Sequence, residues 1–324
     1  VLPLPQGHRF PMDKYRRLHE RIAGAGLGVR LLEPPAASDD DLLRVHTPAY
    51  LRGVIDGTLD PATWRRVGFP WSSLAVERSR RSCGGTLAAL ATACAGDGIA
   101  VNLAGGTHHA FADRGGGYCI FNDSMVAARH AQAHGHARRI LVVDLDVHQG
   151  DGTAALCAGD PSVFAFSMHG AGNYPARKQA GDLDVALPDG CDDAGYLTEL
   201  AHSLPEAIAR ARPDAVIYLA GADPYAGDRL GRLALTRDGL LARDRMVFAA
   251  CSRHALPVAV SMAGGYARDV DEIVDIQRPR VAVLRLAADT AGLELQHRDT
   301  DVHGDPDVVQ VLAQQALVQA AAGV

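Results

Sequence analysis

The chain has 324 residues, 48% hydrophobic and 22% charged, with a formal net charge of −6. That supplies apolar material for a large core, and the mild acidity argues against a dedicated nucleic-acid binder, which carries a basic face. Six cysteines without a C-x-x-C pair fit neither a zinc finger nor a small disulfide scaffold, and read as free thiols of a reducing compartment.

The first 70 residues read as helical, with "MDKYRRLHERI" and "SDDDLLRVHTPAYLRGVI"; Ser38 and Asp41 have the spacing of a capping box. Beyond them, short apolar runs at 99–103, 139–145, 162–167, 214–220 and 257–262 alternate with helix-like stretches near 71–95, 122–134, 193–211 and 236–255. This alternation predicts an α/β fold, a central parallel sheet with helices on both faces. Strands buried on both sides read as continuous apolar runs, as these do. The segment 279–303 fits an edge strand or part of a helix, and 306–320 reads as a closing helix. No repeat or linker divides the chain, so one domain over 1–324 is expected. With no visible signal peptide or membrane-spanning run, a cytoplasmic protein without a membrane partner is expected.

Polar residues gather where the apolar runs stop. In "ILVVDLDVHQGDGTA", period-two alternation turns Asp144, Asp146 and His148 to one side if the extended form continues, and Gly150 and Gly152 permit a tight turn into a helix. "AGGTHHA" brings His108 and His109, "SMHGAGNYP" brings His169 and Tyr174, "GADPYAGD" brings Asp223, and "AGGY" brings Tyr266. Open α/β sheets bind ligands at the C-terminal ends of their strands, so these clusters should converge on one rim. One strand-end Asp is ordinarily a helix cap and one His a structural residue. Five coincident clusters are poorly explained that way.

Asp146, His148 and Asp223 offer a divalent metal two carboxylates and one imidazole, leaving a position for water and substrate. Two carboxylates offset the ion's charge and make it a milder Lewis acid. A separate base and an oxyanion donor are then useful; His108 and His109 can supply the first and Tyr266 the second. Asp144 and Asp151 remain, each suited to accept a ring N–H from a histidine. The set matches metal-assisted amide hydrolysis, with metal-activated water attacking the carbonyl.

In order, "AGGTHHA", "GGGYCIFND", "DLDVHQGDG", "SMHGAGNYP", "GADPYAGD" and "AGGY" resemble the motifs of zinc-dependent histone deacetylases and bacterial histone deacetylase-like amidohydrolases, of the arginase–deacetylase fold. The likeness covers about 70–270, and "PWSSLAVERS" and "DRLGRLALT" look most like the class IV branch. It implies Zn2+, with Fe2+ as the alternative in the cell, on Asp146, His148 and Asp223. It implies His109 as general base and acid supported by Asp151, and His108, supported by Asp144, as an electrostatic group or helper in protonating the leaving amine. Tyr266 would bind the substrate carbonyl and then the oxyanion, and Gly117, Tyr118 and Tyr174 would line a narrow channel for lysine methylenes. A structural K+ would use backbone oxygens of Asp144, Asp146 and His148 with Ser167 and Met168.

The resemblance implies hydrolysis of acyl groups from the ε-amine of lysine in proteins or peptides. The alternative is an acetylpolyamine amidohydrolase acting on a small acylated amine. An arginase-like enzyme needs carboxylates for a second metal; here His148 is followed by Gln149 and Gly150, and Asp223 by Pro224 and Tyr225. A non-catalytic acyl-lysine reader should have lost a ligand or Tyr266, and every one is present. Thr107, where many relatives carry a bulkier residue, Ala263, in place of a glycine, and Pro224 are departures that touch pocket shape.

Overall fold

The apolar runs become strands of a single sheet. The computed structural model describes residues 2–279 and 310–312. Its strands are β1 (Arg30–Leu32), β2 (Ile99–Asn102), β3 (Ile140–Asp144), β4 (Val163–Gly170), β5 (Leu183–Leu187), β6 (Ala215–Leu219), β7 (Val258–Ser261) and β8 (Gln310–Leu312). They lie in the order β1-β8-β2-β7-β6-β3-β4-β5, and every pairing is parallel.

Side-chain alternation divides each central strand between two cores. Leu141 and Val143, Val216 and Tyr218, and Val258 and Val260 pack on one face. They meet Leu18 and Ile22 of α1 (Lys14–Ala23), Leu200 and Leu204 of α8 (Asp193–Ala211), and Leu240 and Val247 of α9 (Arg237–Arg253). Ile140, Val142, Ala215, Ile217 and Ala259 turn the other way, onto Leu87 and Leu90 of α5 (Ser73–Thr92) and Met125 and Val126 of α6 (Asp123–Ala133). The α/β sheet with helices on both faces is therefore present. No described helix is long and apolar enough to cross a membrane.

The N-terminal part is helical as expected: α1 is followed by α2 (Asp39–Leu43), α3 (Pro48–Asp56) and α4 (Pro61–Val67). Ser38 and Asp41 form the anticipated capping box. Three strands escape the apolar-run reading. β1 and β5 are partly exposed, so neither is a continuous apolar run. β8 falls within 306–320, read above as a helix; its Gln310, Val311 and Leu312 instead pair between β1 and β2. β4 runs three residues past its expected end, because Ser167 to Gly170 pair with β5. The segment 280–303 lies outside the described residues.

His46, only 2% exposed, joins the α2–α3 connection to the loops at the sheet's C-terminal edge. Its Nδ1 donates to the Phe111 carbonyl (3.0 Å) and its Nε2 accepts from the Asn122 N–H (3.1 Å), so the ring is held neutral. Burial is the main reason its pKa falls from 6.5 to about 4. The unfolded chain binds this proton more readily than the folded one, so the neutral ring stabilises the fold above pH 6.5. This contribution should fade as pH drops from about 6.5 towards 4, by at most about 3 kcal/mol. Urea unfolding at pH 7 and pH 5 should show it, and His46→Gln should flatten that part of the dependence; an unchanged slope would remove the assignment.

Candidate active site

Four adjacent strands, β2, β7, β6 and β3, deliver the polar clusters from neighbouring loops. His108 and His109 follow β2, Tyr266 follows β7, Asp223 follows β6, and Asp146 and His148 follow β3. The β3 ladder stops at Asp144, yet the alternation persists: Leu145 and Val147 enter the core while Asp144, Asp146 and His148 face the loops. Side chains replace the ladder there, since the Asp144 carboxylate accepts from Asp146 N–H and the Asp146 carboxylate from His148 N–H.

The two histidines each have a carboxylate behind them. His108 Nδ1 lies 2.6 Å from Asp144 Oδ2, and His109 Nδ1 lies 2.6 Å from Asp151 Oδ1 at the start of α7 (Asp151–Cys157). Their Nε2 atoms face each other at 3.1 Å. One must donate and the other accept, so both rings cannot be charged in this arrangement. Burial opposes a charge on His108, but Asp144 and Asp146 overcome it and raise its pKa to about 9. Burial and the adjacent His108 pull His109 down to about 4, against Asp151.

Asp146, His148 and Asp223 are the candidate metal-binding group among the described residues, with one ligand atom from each lying within 4.8 Å of the others. All three are buried, at 1%, 7% and 0% exposure. Asp223 Oδ2 is 3.2 Å from His148 Nδ1 but has no hydrogen bond. A buried carboxylate oxygen left this way costs free energy unless a cation satisfies it. Burial first, then the charge of Asp146, raise Asp223 to about 7. Glycine keeps the space around these oxygens clear: a Cβ on Gly264 would come within 1.9 Å of Asp223 Oδ2 and 2.6 Å of Asp146 Oδ2. Buried oxygen and imidazole donors with a side-chain-free cradle suit a divalent cation.

Tyr266 stands beside this group, its ring 6.2 Å from that of His148. Burial, then Asp146 and Asp223, push its hydroxyl pKa well above the usual value, so it keeps its proton to donate. Tyr174 meets the His109 ring edge-on at 4.8 Å and is 49% exposed, which places it at the rim. Tyr118 lies 6.0 Å from the Tyr266 ring. Gly117, at φ 51°, leaves no room for a side chain, since its Cβ would lie 2.5 Å from His109 Cδ2. A surface depression of about 590 Å³ beside Arg16, Arg17 and Arg21 holds none of this chemistry.

Of the predicted cluster after β4, Tyr174 reaches His109 but His169 does not join the group. His169 Nδ1 bonds Ser167 Oγ within the strand at 2.9 Å, and Ser167 pairs with Asp144 in the ladder. Thr107 and Ala263 take on definite roles. Thr107 Oγ1 donates to the Phe121 carbonyl and lies 2.7 Å from Asp123 Oδ1, and Ala263 adopts φ 51°, where glycine is usual.

Sequence reasoning missed the groups that hold these loops from behind. Asp123 accepts from the N–H groups of Gly106 (2.9 Å) and Thr107 (2.7 Å), anchoring the histidine loop. The fully buried Arg243 donates to the Leu145 and Gly221 carbonyls, just before two candidate ligands, while paired to Asp244. Asp228 accepts the Tyr266 N–H and Arg229 donates to its carbonyl. Lys14, 5% exposed, donates to the Ala263 and Gly265 carbonyls. Asp123, Asp228 and Arg229 sit inside quoted motifs, so position in those motifs was the available signal. Arg243 had none.

Comparison with known proteins agrees with this geometry. The histone deacetylase domain profile matches residues 8–275. An uncharacterized protein of Picosynechococcus sp. is 46% identical over 85% of this chain and 92% of its own length. The histone deacetylase-like amidohydrolase of Pseudomonas aeruginosa is 32% identical over 82% of this chain and 74% of its own. Histone deacetylase 2 of Arabidopsis thaliana is 30% identical over 82% and 72%. The crystal structure of the HDA15 HD domain superposes with a TM-score of 0.72 at 25% identity, covering 91% of this chain and 88% of that one. With the profile spanning most of its length and its loops carrying the family's motifs in order, the chain belongs to the histone deacetylase family of hydrolases.

Proposed function

We propose that this protein is a zinc-dependent lysine deacylase, releasing acyl groups from the ε-amine of lysine in proteins or peptides. The observation that carries the reading is the meeting of two carboxylate-backed histidines at 3.1 Å, beside the Asp146–His148–Asp223 group and the Tyr266 ring. Asp146, His148 and Asp223 would hold the ion, which when bound supplies Lewis acidity towards a carbonyl oxygen and water.

The protein's own groups divide the remaining work. His109, with Nδ1 engaged by Asp151, presents Nε2 as the base that takes a proton from attacking water and returns it to the leaving amine. His108, backed by Asp144, stands next to it and assists that return. Tyr266 donates its hydroxyl to the substrate carbonyl and strengthens that bond as the oxygen becomes an oxyanion. Tyr118 and Tyr174 flank the lysine methylenes at the rim, and Gly117 leaves the base unobstructed. The same reading places K+ at Asp144, Asp146, His148, Ser167 and Met168, supported by the pairing of Ser167 with Asp144.

A chelator should abolish release of acyl groups from acyl-lysine peptides, and zinc should restore it. His109→Ala should lower kcat/KM by ~10²–10⁴, and Tyr266→Phe should lower kcat by ~10²–10³ with metal content retained; full activity in either variant would remove that role. A panel including acetylpolyamines decides the substrate, since faster turnover of the polyamines would move the reading to small amines.

Gly264→Ala tests the cradle directly. Its methyl would occupy the space beside Asp223 Oδ2. Zinc affinity, measured by calorimetric titration of metal-free protein, should weaken by at least about 10–100-fold. Wild-type affinity in that variant would place the metal elsewhere.

A further inference from the structure

The chain has 32 lysines and arginines, and only two are lysines, Lys14 and Lys178. Both direct their ammonium groups at backbone carbonyls around the site. Lys14 does so beneath Tyr266, as described above. Lys178 lies on the other side, in the loop between β4 and β5 that carries Tyr174.

Lys178 Nζ donates to the carbonyls of Ala171 (3.3 Å), Asn173 (2.5 Å) and Pro175 (2.7 Å). An ammonium has three N–H donors, and here all three have acceptors on alternate residues of one loop. A guanidinium spreads its donors over a planar fork and cannot converge on three carbonyls from one point. In a chain that otherwise uses arginine almost throughout, lysine at this position meets a geometric demand.

The loop wrapped around this ammonium is also stitched to the catalytic loop. Gln149, the residue after His148, donates its backbone N–H to the Tyr174 carbonyl (3.3 Å). Its side chain donates to the Gln179 carbonyl (2.6 Å) and accepts from the Gln179 N–H (2.9 Å). Lys178 thus fixes the segment whose exposed tyrosine ring stands edge-on to His109.

We propose that Lys178 is a positioning residue, its ammonium gathering the 171–175 carbonyls so that Tyr174 forms one wall of the substrate channel. The inference rests on the deacylase reading only for the nature of that substrate.

The test uses full-length metal-loaded protein with Lys178→Met and Lys178→Arg. In Lys178→Met, hydrogen exchange of the amides in 171–179 should quicken by at least about tenfold, with exchange in α5 and α8 unchanged. KM for an acyl-lysine peptide should rise about tenfold while kcat stays within about twofold, because the wall binds substrate and the chemistry is supplied elsewhere. Lys178→Arg, with charge but only part of the contact set, should recover part of both effects. Wild-type exchange in Lys178→Met overturns the proposal, as does faster exchange with KM unmoved, or an arginine variant no better than methionine. If wild-type protein cleaves no acyl-lysine peptide, the deacylase reading fails; the exchange measurement still decides whether Lys178 holds the loop.

Discussion

The Nε2 atoms of His108 and His109 face each other across 3.1 Å in an interior that exposes only 3% and 5% of these residues. Two imidazoliums that close, out of water, would repel strongly, so the pair shares its protons unequally. Placing Asp144 behind one ring and Asp151 behind the other fixes which nitrogens are free. Every other polar group at the site is arranged around that division: the buried carboxylates need a positive partner, and the tyrosine hydroxyl remains protonated among them.

Such a concentration of buried charge holds its shape only because the loops are tied from outside the reaction zone. Asp123 grips the histidine loop through its amides, Arg243 spans two ligand loops through their carbonyls, and Asp228 with Arg229 clamps both backbone polar groups of Tyr266. These contacts go to main chain, so they set where a loop runs and leave its side chains free for chemistry. Gly264, Gly221 and Gly117 complement them by keeping the space around the reactive atoms empty of side chains.

This division explains what the sequence makes legible. Continuous apolar runs mark strands covered on both faces, so β2, β3, β6 and β7 and the loops after them could be read directly, and with them the polar residues that meet there. β1 and β5 are partly exposed, and β8 takes its place between β1 and β2 through long-range pairing that local pattern does not encode. Arg243 and Lys178 were equally hidden, because a cation that bonds distant or looping carbonyls leaves no periodic trace. The departures at Thr107 and Ala263 were visible as unusual residues, but the bonds of the first and the left-handed backbone of the second appear only in three dimensions.

The scarcity of lysine bears on how the protein fares among reactive metabolites. Thioesters and acyl phosphates modify amines without an enzyme, and an ordinary surface rich in lysine collects such adducts. Here the 30 remaining basic residues are arginines, which carry no primary amine, and both lysine ammoniums are already committed to backbone oxygens. A deacetylase-family hydrolase built this way would present almost no acylated lysine of its own to compete with its substrate.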